Sequence, residues 1–215
     1  MGLFGPPNVE KMEARRDING LIKALGYQKD AAIRTTAAEA LARLGDARAL
    51  EALVALLQDE NSYVREVAAN ALVQIGNGRV VELLIAALRH GHEFARKAAA
   101  HALGKIGAPQ AVEPLIAALP DPDAAAALGQ IGDARAVGPL MAILKAKDSR
   151  ARQAAVSALV AIGTPAVEPL SAVLLGDDRH ARQAAVEALD LLGWKPRKDQ
   201  TGVYYWITKK EWSRC

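Results

Sequence analysis

The sequence predicts an all-α solenoid built from about six stacked helical hairpins. A phrase close to Ala-Ala-x-Ala-Leu-x-x-Ile-Gly recurs along the chain, and its closing glycines stand 31, 31, 25, 31 and 30 residues apart. A period of this length is typical of helical-hairpin repeats that stack side by side. Hydrophobic residues make up 51% of the chain but aromatic residues only 4%, so small and aliphatic side chains must build a closely packed core. The closing glycines are Gly45, Gly76, Gly107, Gly132, Gly163 and Gly193.

The second repeat shows the helical pattern clearly. The apolar stripe of its inner helix consists of Val64, Ala68, Ala71, Leu72 and Ile75. This spacing matches one face of a helix with 3.6 residues per turn, which predicts an inner helix over 62–75. A similar run of leucine and valine predicts an outer helix over 47–57. Gly76 is free to adopt a positive φ and is therefore expected to end the inner helix.

The same template places two helices in every repeat. The outer helices are expected near 17–25, 47–57, 79–88, 110–119, 135–144 and 165–174. The inner helices are expected near 30–44, 62–75, 92–106, 123–131, 149–162 and 178–192. Pro114, Pro139 and Pro169 fall within three outer helices. Because proline lacks an N–H group and clashes with the carbonyl four residues earlier, each of these helices should kink at its proline or begin close to it.

The two ends of the chain differ from the repeats in composition. Residues 1–16 are expected to form an N-terminal segment and a capping helix, with Val9 and Met12 turned inward. Residues 194–215 are expected to form a basic, aromatic C-terminal cap with a helix over 203–213. A solenoid needs such caps because a bare end would expose an apolar face.

The repeats themselves are expected to fill residues 17–193, and the fourth repeat, residues 108–132, is about six residues short. Its inner helix should lose about one and a half turns at 1.5 Å per residue. The shortening predicts a notch, which is either a pocket or the trace of a neutral deletion.

An arginine stands eleven residues before the closing glycine in five of the six repeats. A cation near a helix N-terminus opposes the helix dipole, so its recurrence indicates acceptors that offset the cost. We interpret the arginines as a structural ladder that ties neighbouring repeats, with ligand binding as the alternative. The arginines are Arg34, Arg65, Arg96, Arg152 and Arg182. Their candidate acceptors are the expected N-cap residues Asp30, Asn61, Asp148 and Asp178 and the loop acids Asp46 and Asp133.

The net charge of +3 resides in the C-terminal segment. From Trp194 onward there are six Lys or Arg and two acids, which leaves 21 basic and 22 acidic residues in 1–193. A near-neutral array is a poor track for a polyanion, which needs a basic stripe. The single cysteine, Cys215, allows no internal disulfide and no cysteine-based zinc site. The sequence shows neither a signal peptide nor a membrane-spanning run, so we expect a cytoplasmic protein.

Several segments resemble the HEAT-like repeats named after phycobilisome lyases. The resemblance rests on residues 64–76, 95–107 and 133–140 and covers about 17–193. It implies a right-handed α-solenoid, and the chain ends are similar to those of uncharacterised prokaryotic members. The family includes bilin lyase subunits, deoxyhypusine hydroxylase, alkylpurine DNA glycosylases and many binding proteins, among them the artificial alphaRep binders. The resemblance therefore implies a fold but no single activity.

In such stacks the inner helices line the concave face, and two rows of side chains resemble the alphaRep binding positions. Row A, six residues before each closing glycine, contains Glu39, Asn70, His101, Ala126, Ser157 and Glu187. Row B, two residues before it, contains Arg43, Gln74, Lys105, Gln130, Ala161 and Leu191. The rows change from polar and charged side chains to small and apolar ones. A protein or peptide segment should fit them better than a polyanion, and their polar members are the predicted partner-binding residues.

The sequence offers little for catalysis. The hydroxylase holds iron with paired His-Glu dipeptides, whereas this chain has one, His92-Glu93, at a different position relative to the arginine. His90 and His92 form a His-x-His without an evident third ligand, which favours a solvated loop over a metal site. Nucleophile elbows and phosphate-cradling glycine motifs do not occur in the sequence. We predict no catalytic residue, no cofactor and no metal.

The sequence thus favours a monomeric, non-enzymatic scaffold that binds a protein or peptide partner. One alternative is a subunit of a bilin-lyase-like enzyme. A second alternative is nucleic-acid binding by the basic C-terminal segment, because aromatic rings beside basic residues can stack on bases. The other interpretation of this segment is a lid packed on the last repeat. Its aromatic residues are Trp194, Tyr204, Tyr205, Trp206 and Trp212.

Overall fold

The computed structural model describes residues 6–196 and 198–212. This part of the chain forms fourteen α-helices and contains no strand. The helices are α1 (Val9–Ala14), α2 (Ile18–Leu25), α3 (Ala31–Leu44), α4 (Leu50–Ala55), α5 (Ser62–Ile75), α6 (Gly78–His90), α7 (Glu93–Ile106), α8 (Val112–Ala117), α9 (Pro122–Ile131), α10 (Val137–Ile143), α11 (Ser149–Ile162), α12 (Thr164–Val173), α13 (Arg179–Leu191) and α14 (Gln200–Trp212). Short 3-10 turns adjoin α4, α8 and α10. The predicted all-α class is confirmed.

The helices pair as six hairpins, each with an outer helix followed by an inner helix. The pairs are α2 with α3, α4 with α5, α6 with α7, α8 with α9, α10 with α11, and α12 with α13. The chain divides into two compact units, unit 1 ending at Ile106 and unit 2 beginning at Gly107. This division falls between the third and fourth hairpins.

Unit 1 has two helical layers. The inner helices α3, α5 and α7 pack side by side in chain order, and the outer helices α2, α4 and α6 do the same. α1 packs against α2 and α3 and buries Val9, while Met12 is half-buried. Leucines from both layers fill the core between them, namely Leu21, Leu41, Leu53, Leu72, Leu84 and Leu103, all fully buried.

Unit 2 follows the same plan. The inner helices α9, α11 and α13 pack in chain order, α10 packs against α12, and α14 packs against α13. Its core again consists of fully buried leucines, namely Leu115, Leu128, Leu140, Leu159, Leu170 and Leu189. Alanines at the helix contacts keep the inner helices close, as the composition predicts.

The helix ends follow from polar N-cap residues and closing glycines. Asp30, Asn61, Asp148 and Asp178 are N-caps, and their side chains accept hydrogen bonds from main-chain N–H groups of the following turn. Gly45 ends α3 with a φ of 65°, in the left-handed region that glycine adopts without strain. The repeated phrase in the sequence therefore marks where each inner helix stops.

The outer-helix prolines lie near helix starts in two of three cases. Pro114 and Pro139 are the third residues of α8 and α10, where the missing N–H group has no partner within the helix to lose. Pro169 instead lies inside α12, which begins at Thr164 with Pro165 in its first turn. Helices α8 and α10 therefore begin close to their prolines, which was one of the two expected outcomes.

The fourth repeat is shortened, but by less than expected. α9 has 10 residues where α3, α5, α7 and α11 have 14. The loss is therefore about one turn, or about 6 Å at 1.5 Å per residue. Asp121 caps α9 and Pro122 occupies its first position, so the helix restarts directly after the preceding turn. At the other end of the chain, α14 begins at Gln200, three residues before the expected start.

Candidate functional site

Rows A and B lie on the solvent-facing side of the inner helices. Within unit 1, Glu39 and Arg43 project from α3, Asn70 and Gln74 from α5, and His101 and Lys105 from α7, all exposed. Within unit 2, Gln130 on α9 and Ser157 on α11 are exposed and Glu187 on α13 is half-buried. The helical period thus places each predicted partner-binding residue at the surface. Whether they bind a partner stays a prediction.

Four of these residues line one groove in unit 1. The groove lies between α3 and α5 and has a volume of about 290 Å³. Glu39 and Arg43 form one wall, and Asn70 and Gln74 form the other. Its lining also includes Ala42, Tyr63, Glu66, Val67 and Ala71. Two neighbouring inner helices therefore bring the predicted residues together.

The charge of Arg43 is already compensated inside unit 1. Its Nε lies 2.7 Å from Oε1 of Glu13 in α1, and its Nη2 donates to Oε2 at 2.9 Å. This bidentate contact lowers the pKa of Glu13 and raises that of Arg43. Glu13 pairs with Arg43, the one cation among the lining residues, and Glu39 and Glu66 add two carboxylates to the groove. Arg43 also interacts electrostatically with Glu39.

Some polar side chains of the groove already make hydrogen bonds, and others do not. Asn70 accepts a hydrogen bond from Nζ of Lys105, at 3.1 Å. Within the described residues, the side chains of Glu39, Glu66 and Gln74 make no hydrogen bond or ion pair. Their polar atoms are open to a ligand as well as to water.

Two exposed aromatic residues on the inner helices were missed by the sequence reasoning. Tyr63 is 59% and Phe94 is 56% exposed. Both stand thirteen residues before a closing glycine, which is seven residues before row A and hence on the same helix face. The guanidinium of Arg65 lies 4.3 Å from the centre of the Phe94 ring, a cation–π contact between α5 and α7. Helical periodicity would have found both residues, whereas a comparison limited to rows A and B left them out.

A smaller groove lies between α11 and α13 in unit 2. Its volume is about 150 Å³, and Glu187 lines it together with Arg152, Gln153, His180 and Gln183. Nε2 of Gln153 donates to Oε1 of Glu187 at 2.8 Å. Two of its polar side chains are therefore already paired, and Gln130 and Ser157 do not line this groove.

The recurring arginines bind main-chain carbonyl groups of the turn that precedes their helix. Nη1 of Arg65 donates to the carbonyls of Asp59 and Glu60, and Nη1 of Arg152 to those of Ala146 and Lys147. Arg96 and Arg182 donate in the same way to Gly91 and Gly176. These bonds fix the turn within each hairpin, which supports a structural role.

The expected acceptors of the arginine ladder were wrong. In the described residues the carboxylates of Asp30, Asp148 and Asp178 cap their own helices and accept from main-chain N–H groups. Asp46 and Asp133 instead pair with the arginines two residues after them. Asn61 caps α5 in the same way. The N-cap side chains are thus engaged by their own helices, and the arginines donate to the main-chain carbonyls of the preceding turn instead.

The C-terminal helix α14 is anchored through its polar side chains. The Tyr205 hydroxyl donates to Asp190 of α13, and Nζ of Lys209 lies 2.8 Å from the same carboxylate. The Tyr205 ring also packs against Trp194, with ring centres 5.5 Å apart. These contacts support the interpretation of α14 as a lid on α13. The predicted stacking residue Trp212 has a side chain outside the described residues.

The histidines of the His-x-His pattern lie at the junction of α6 and α7. His90 is the last residue of α6, and His92 is exposed directly before α7. Among the described residues, His, Cys, Asp and Glu side chains form no group of three or more that could hold a metal ion. Of the helices described, none has both the length and the apolar character that crossing a bilayer requires.

Comparison with solved structures finds relatives among helical-repeat proteins. The complex of CpcE and CpcF of phycocyanin lyase from Nostoc sp. PCC7120 matches at 24% identity over 90% of this chain and 87% of that chain, with a TM-score of 0.51. An engineered protein matches at 27% identity over 83% of this chain and 98% of that chain, with a TM-score of 0.47. Human deoxyhypusine hydroxylase matches at 24% identity over 86% and 76% of the two chains, with a TM-score of 0.44. Among curated proteins, none matches this sequence.

The family comparison agrees with the architecture. The sequence model of HEAT repeats matches residues 11–72, 51–126 and 123–190. These segments extend from within α1 to nearly the end of α13 and therefore include nearly all of the hairpins. With most of its length matched in this way and its helices paired as repeating hairpins, the chain belongs to the HEAT-repeat family.

Proposed function

We propose that the protein is a non-enzymatic interaction scaffold that binds an extended segment of a partner protein in the α3–α5 groove of unit 1. The observation that carries the proposal is the set of polar side chains that two inner helices direct into this one groove. Gln74 can donate to and accept from the main chain of an extended segment, and Asn70, whose side-chain oxygen accepts from Lys105, can donate to it. The groove is thus equipped to bind a peptide backbone.

The acidic residues of the groove indicate the side chains that a partner would carry. Glu39 and Glu66 stand on facing helices, and Glu13 already holds the one arginine between them. Tyr63 beside them is 59% exposed, so its ring face is open to a cation. A lysine or arginine of the partner would therefore gain from both the carboxylates and the ring. A polyanion would be repelled by the same carboxylates, which argues against nucleic acid at this groove.

A displayed library of random extended peptides, selected on the full chain, tests this proposal. We expect selection of peptides that carry lysine or arginine near their centre. The double substitution Glu39→Lys/Glu66→Lys should weaken binding of the selected peptides at least about tenfold, because it replaces attraction by repulsion at two contacts. The control is Glu51→Lys/Glu82→Lys, which makes the same charge change on the outer helices α4 and α6 of unit 1, where both carboxylates lie near the exposed Arg79.

The outcomes of this experiment separate the proposed groove from other surfaces. Binding that survives Glu39→Lys/Glu66→Lys and falls with the outer-helix control would contradict the proposal. Failure to select any peptide would contradict it as well. The absorption spectrum of protein purified from its source tests the lyase-type alternative, since a bound bilin adds a visible band that a scaffold would lack.

A further inference from the structure

Helix α14 buries two hydroxyl-bearing side chains and exposes three large apolar ones. Tyr205 and Thr208 are buried within unit 2, with exposed fractions of 3% and 1%. On the other side Val203 is 58%, Trp206 is 60% and Ile207 is 47% exposed. Large apolar side chains gathered on one exposed face mark an interaction surface, whereas single exposed ones need no explanation.

The outward face of α14 has a regular order along the helix. Asp199, Val203, Trp206 and Lys210 follow one another at i, i+4, i+7 and i+11, which places them on one stripe, with Ile207 beside it. Asp199 is the first member, before the N-terminus of the helix, and Lys210 is the last, near its C-terminus. The stripe therefore runs from a negative end through an apolar centre to a positive end.

We propose that this stripe is the contact between two copies of the chain, packed as an antiparallel pair of α14 helices. An antiparallel pair keeps the sum of the facing residue numbers constant. The register that sets Trp206 opposite Val203 of the second copy also sets Lys210 opposite Asp199 of the second copy. One register thus joins a large side chain to a small one and a cation to an anion, and the two-fold axis repeats both contacts. The opposed helix dipoles favour the same orientation.

The side chains of α14 fit a second helix better than a lipid surface or a nucleic acid. An interfacial helix carries basic residues along its polar flanks, yet Lys209 is turned toward Asp190 of α13 and engaged there. Bases stack on rows of aromatic rings, whereas the stripe offers one ring, Trp206, between the aliphatic side chains of Val203 and Ile207. The sequence favoured a monomer because both ends carry caps, and the apolar outer face of α14 is the reason for proposing a dimer instead.

Sedimentation equilibrium of the full chain over a range of concentrations tests the proposal. Because one helix pair buries less than a standard interface of about 800 Å² per partner, the dimer should be weak and visible only at high protein concentration. Trp206→Asp should weaken association by at least about tenfold, as expected for a central aromatic anchor. Leu175→Asp is the matched control, since Leu175 is 46% exposed in unit 2 outside α14, and it should leave association unchanged.

A charge exchange tests the antiparallel register. Lys210→Glu and Asp199→Lys should each weaken self-association, because like charges then face each other twice. An equimolar mixture of the two variants should regain it, since both facing pairs become opposite again. Asp199 accepts from the main-chain N–H of Gly202, so circular dichroism is needed to show that Asp199→Lys keeps its helices.

Three results would overturn the dimer. A wild-type chain that stays monomeric at its highest soluble concentration would do so. A dimer that persists in Trp206→Asp would place the contact elsewhere. A monomer whose tryptophan emission shifts to the blue with phosphatidylglycerol vesicles, but not with phosphatidylcholine vesicles, would assign the stripe to a lipid surface.

Discussion

Arg34 of α3 and Asp59, in the turn before α5, form a buried ion pair between the first two hairpins. Arg34 Nε lies 2.7 Å from Oδ2 of Asp59, and Nη2 donates to Oδ1 at 2.9 Å. The two side chains are 2% and 4% exposed. Nη1 of Arg34 also donates to the carbonyl of Tyr27 at 3.1 Å. This arginine is the member of the ladder that reaches a carboxylate of the following repeat, as the ladder hypothesis expected of all of them.

Removal of Arg34 should therefore destabilise unit 1 strongly. Arg34→Met leaves the Asp59 carboxylate buried without its cation, and breaking a buried pair in this way costs about 3–5 kcal/mol. Urea unfolding followed by circular dichroism measures the change. The double variant Arg34→Met/Asp59→Leu should recover part of the loss, because it removes the unpaired charge.

The exposed pair between Arg79 and Glu51 provides the control for that measurement. Its Nη2 to Oε1 distance is 3.6 Å, and the two side chains are 59% and 80% exposed. Arg79→Met should change the free energy of unfolding by less than about 1 kcal/mol. Equal losses for Arg34→Met and Arg79→Met would show that burial of the Arg34 pair has no special weight.

Gly129 sets how closely α9 and α11 approach in unit 2. A Cβ atom at this position would lie 2.9 Å from Cα of Ala158, a main-chain atom that cannot move aside alone. Gly129→Ala should therefore push the two helices apart and destabilise unit 2 by about 1–3 kcal/mol. Thermal unfolding measures the loss.

Gly138 is the matched control, because a Cβ atom there would meet nothing within 4 Å. Gly138→Ala in α10 should stabilise the helix by about 0.5–1 kcal/mol, since alanine loses less conformational entropy on folding. Equal shifts in melting temperature for the two glycine substitutions, in sign and size, would contradict the assigned close approach.

The sequence predicted the parts of the fold that depend on local chemistry. Asp30 and Gly45 mark the start and end of α3 by capping, and such signals lie within a few residues of the feature they cause. The acceptor of Arg34 lies 25 residues away and could be assigned only once the stacking of the hairpins was known. Tyr63 in the groove was missed although the helical period places it there. The orientation of α14 was not predicted because aromatic residues stand on both sides of the helix, so the sequence alone does not show that Tyr205 is buried and Trp206 is exposed.

The contact between Asp46 and Arg48, in the turn between α3 and α4, should persist down to about pH 2. Arg48 donates to Asp46 through its side chain and its main-chain N–H, and these bonds lower the pKa of Asp46 to about 2. The folded-state pKa of Asp46 lies below its unfolded value of about 3.9. The contribution of this contact to the free energy of unfolding is therefore fully present above about pH 3.9 and is lost as the pH falls through about 2. The carboxyl carbon shift of Asp46, followed by NMR during acid titration, measures its pKa.

Arg48→Met is the control for the acid titration. Without the guanidinium, the side-chain hydrogen bonds that are the largest cause of the shift are removed, and the Asp46 pKa should rise toward the unfolded value. An unchanged titration curve in Arg48→Met would show that the main-chain bond alone holds the carboxylate.

The contact between Tyr205 and Asp190 should make the attachment of α14 sensitive to alkali. Burial of the Tyr205 ring raises the pKa of its hydroxyl, and its hydrogen bond to Asp190 raises it further. The folded-state pKa thus lies above the unfolded value of about 10. The contribution of this contact to stability is fully present below that unfolded value and is lost as the pH rises through the folded-state pKa.

Tyrosinate absorbance, taken as the difference between the wild type and Tyr205→Phe, measures this titration. The difference curve should lie at higher pH in the folded protein than in the urea-unfolded protein. Emission of Trp194, whose ring packs on Tyr205, should change over the same pH range as α14 separates from α13. Thr208→Val serves as a structural control: it replaces a buried hydroxyl of the same face without touching the titrating group, so the Tyr205 curve should stay in place. If the folded and unfolded curves coincide, Asp190 does not hold Tyr205 in its neutral form, and the anchoring of α14 must come from packing alone.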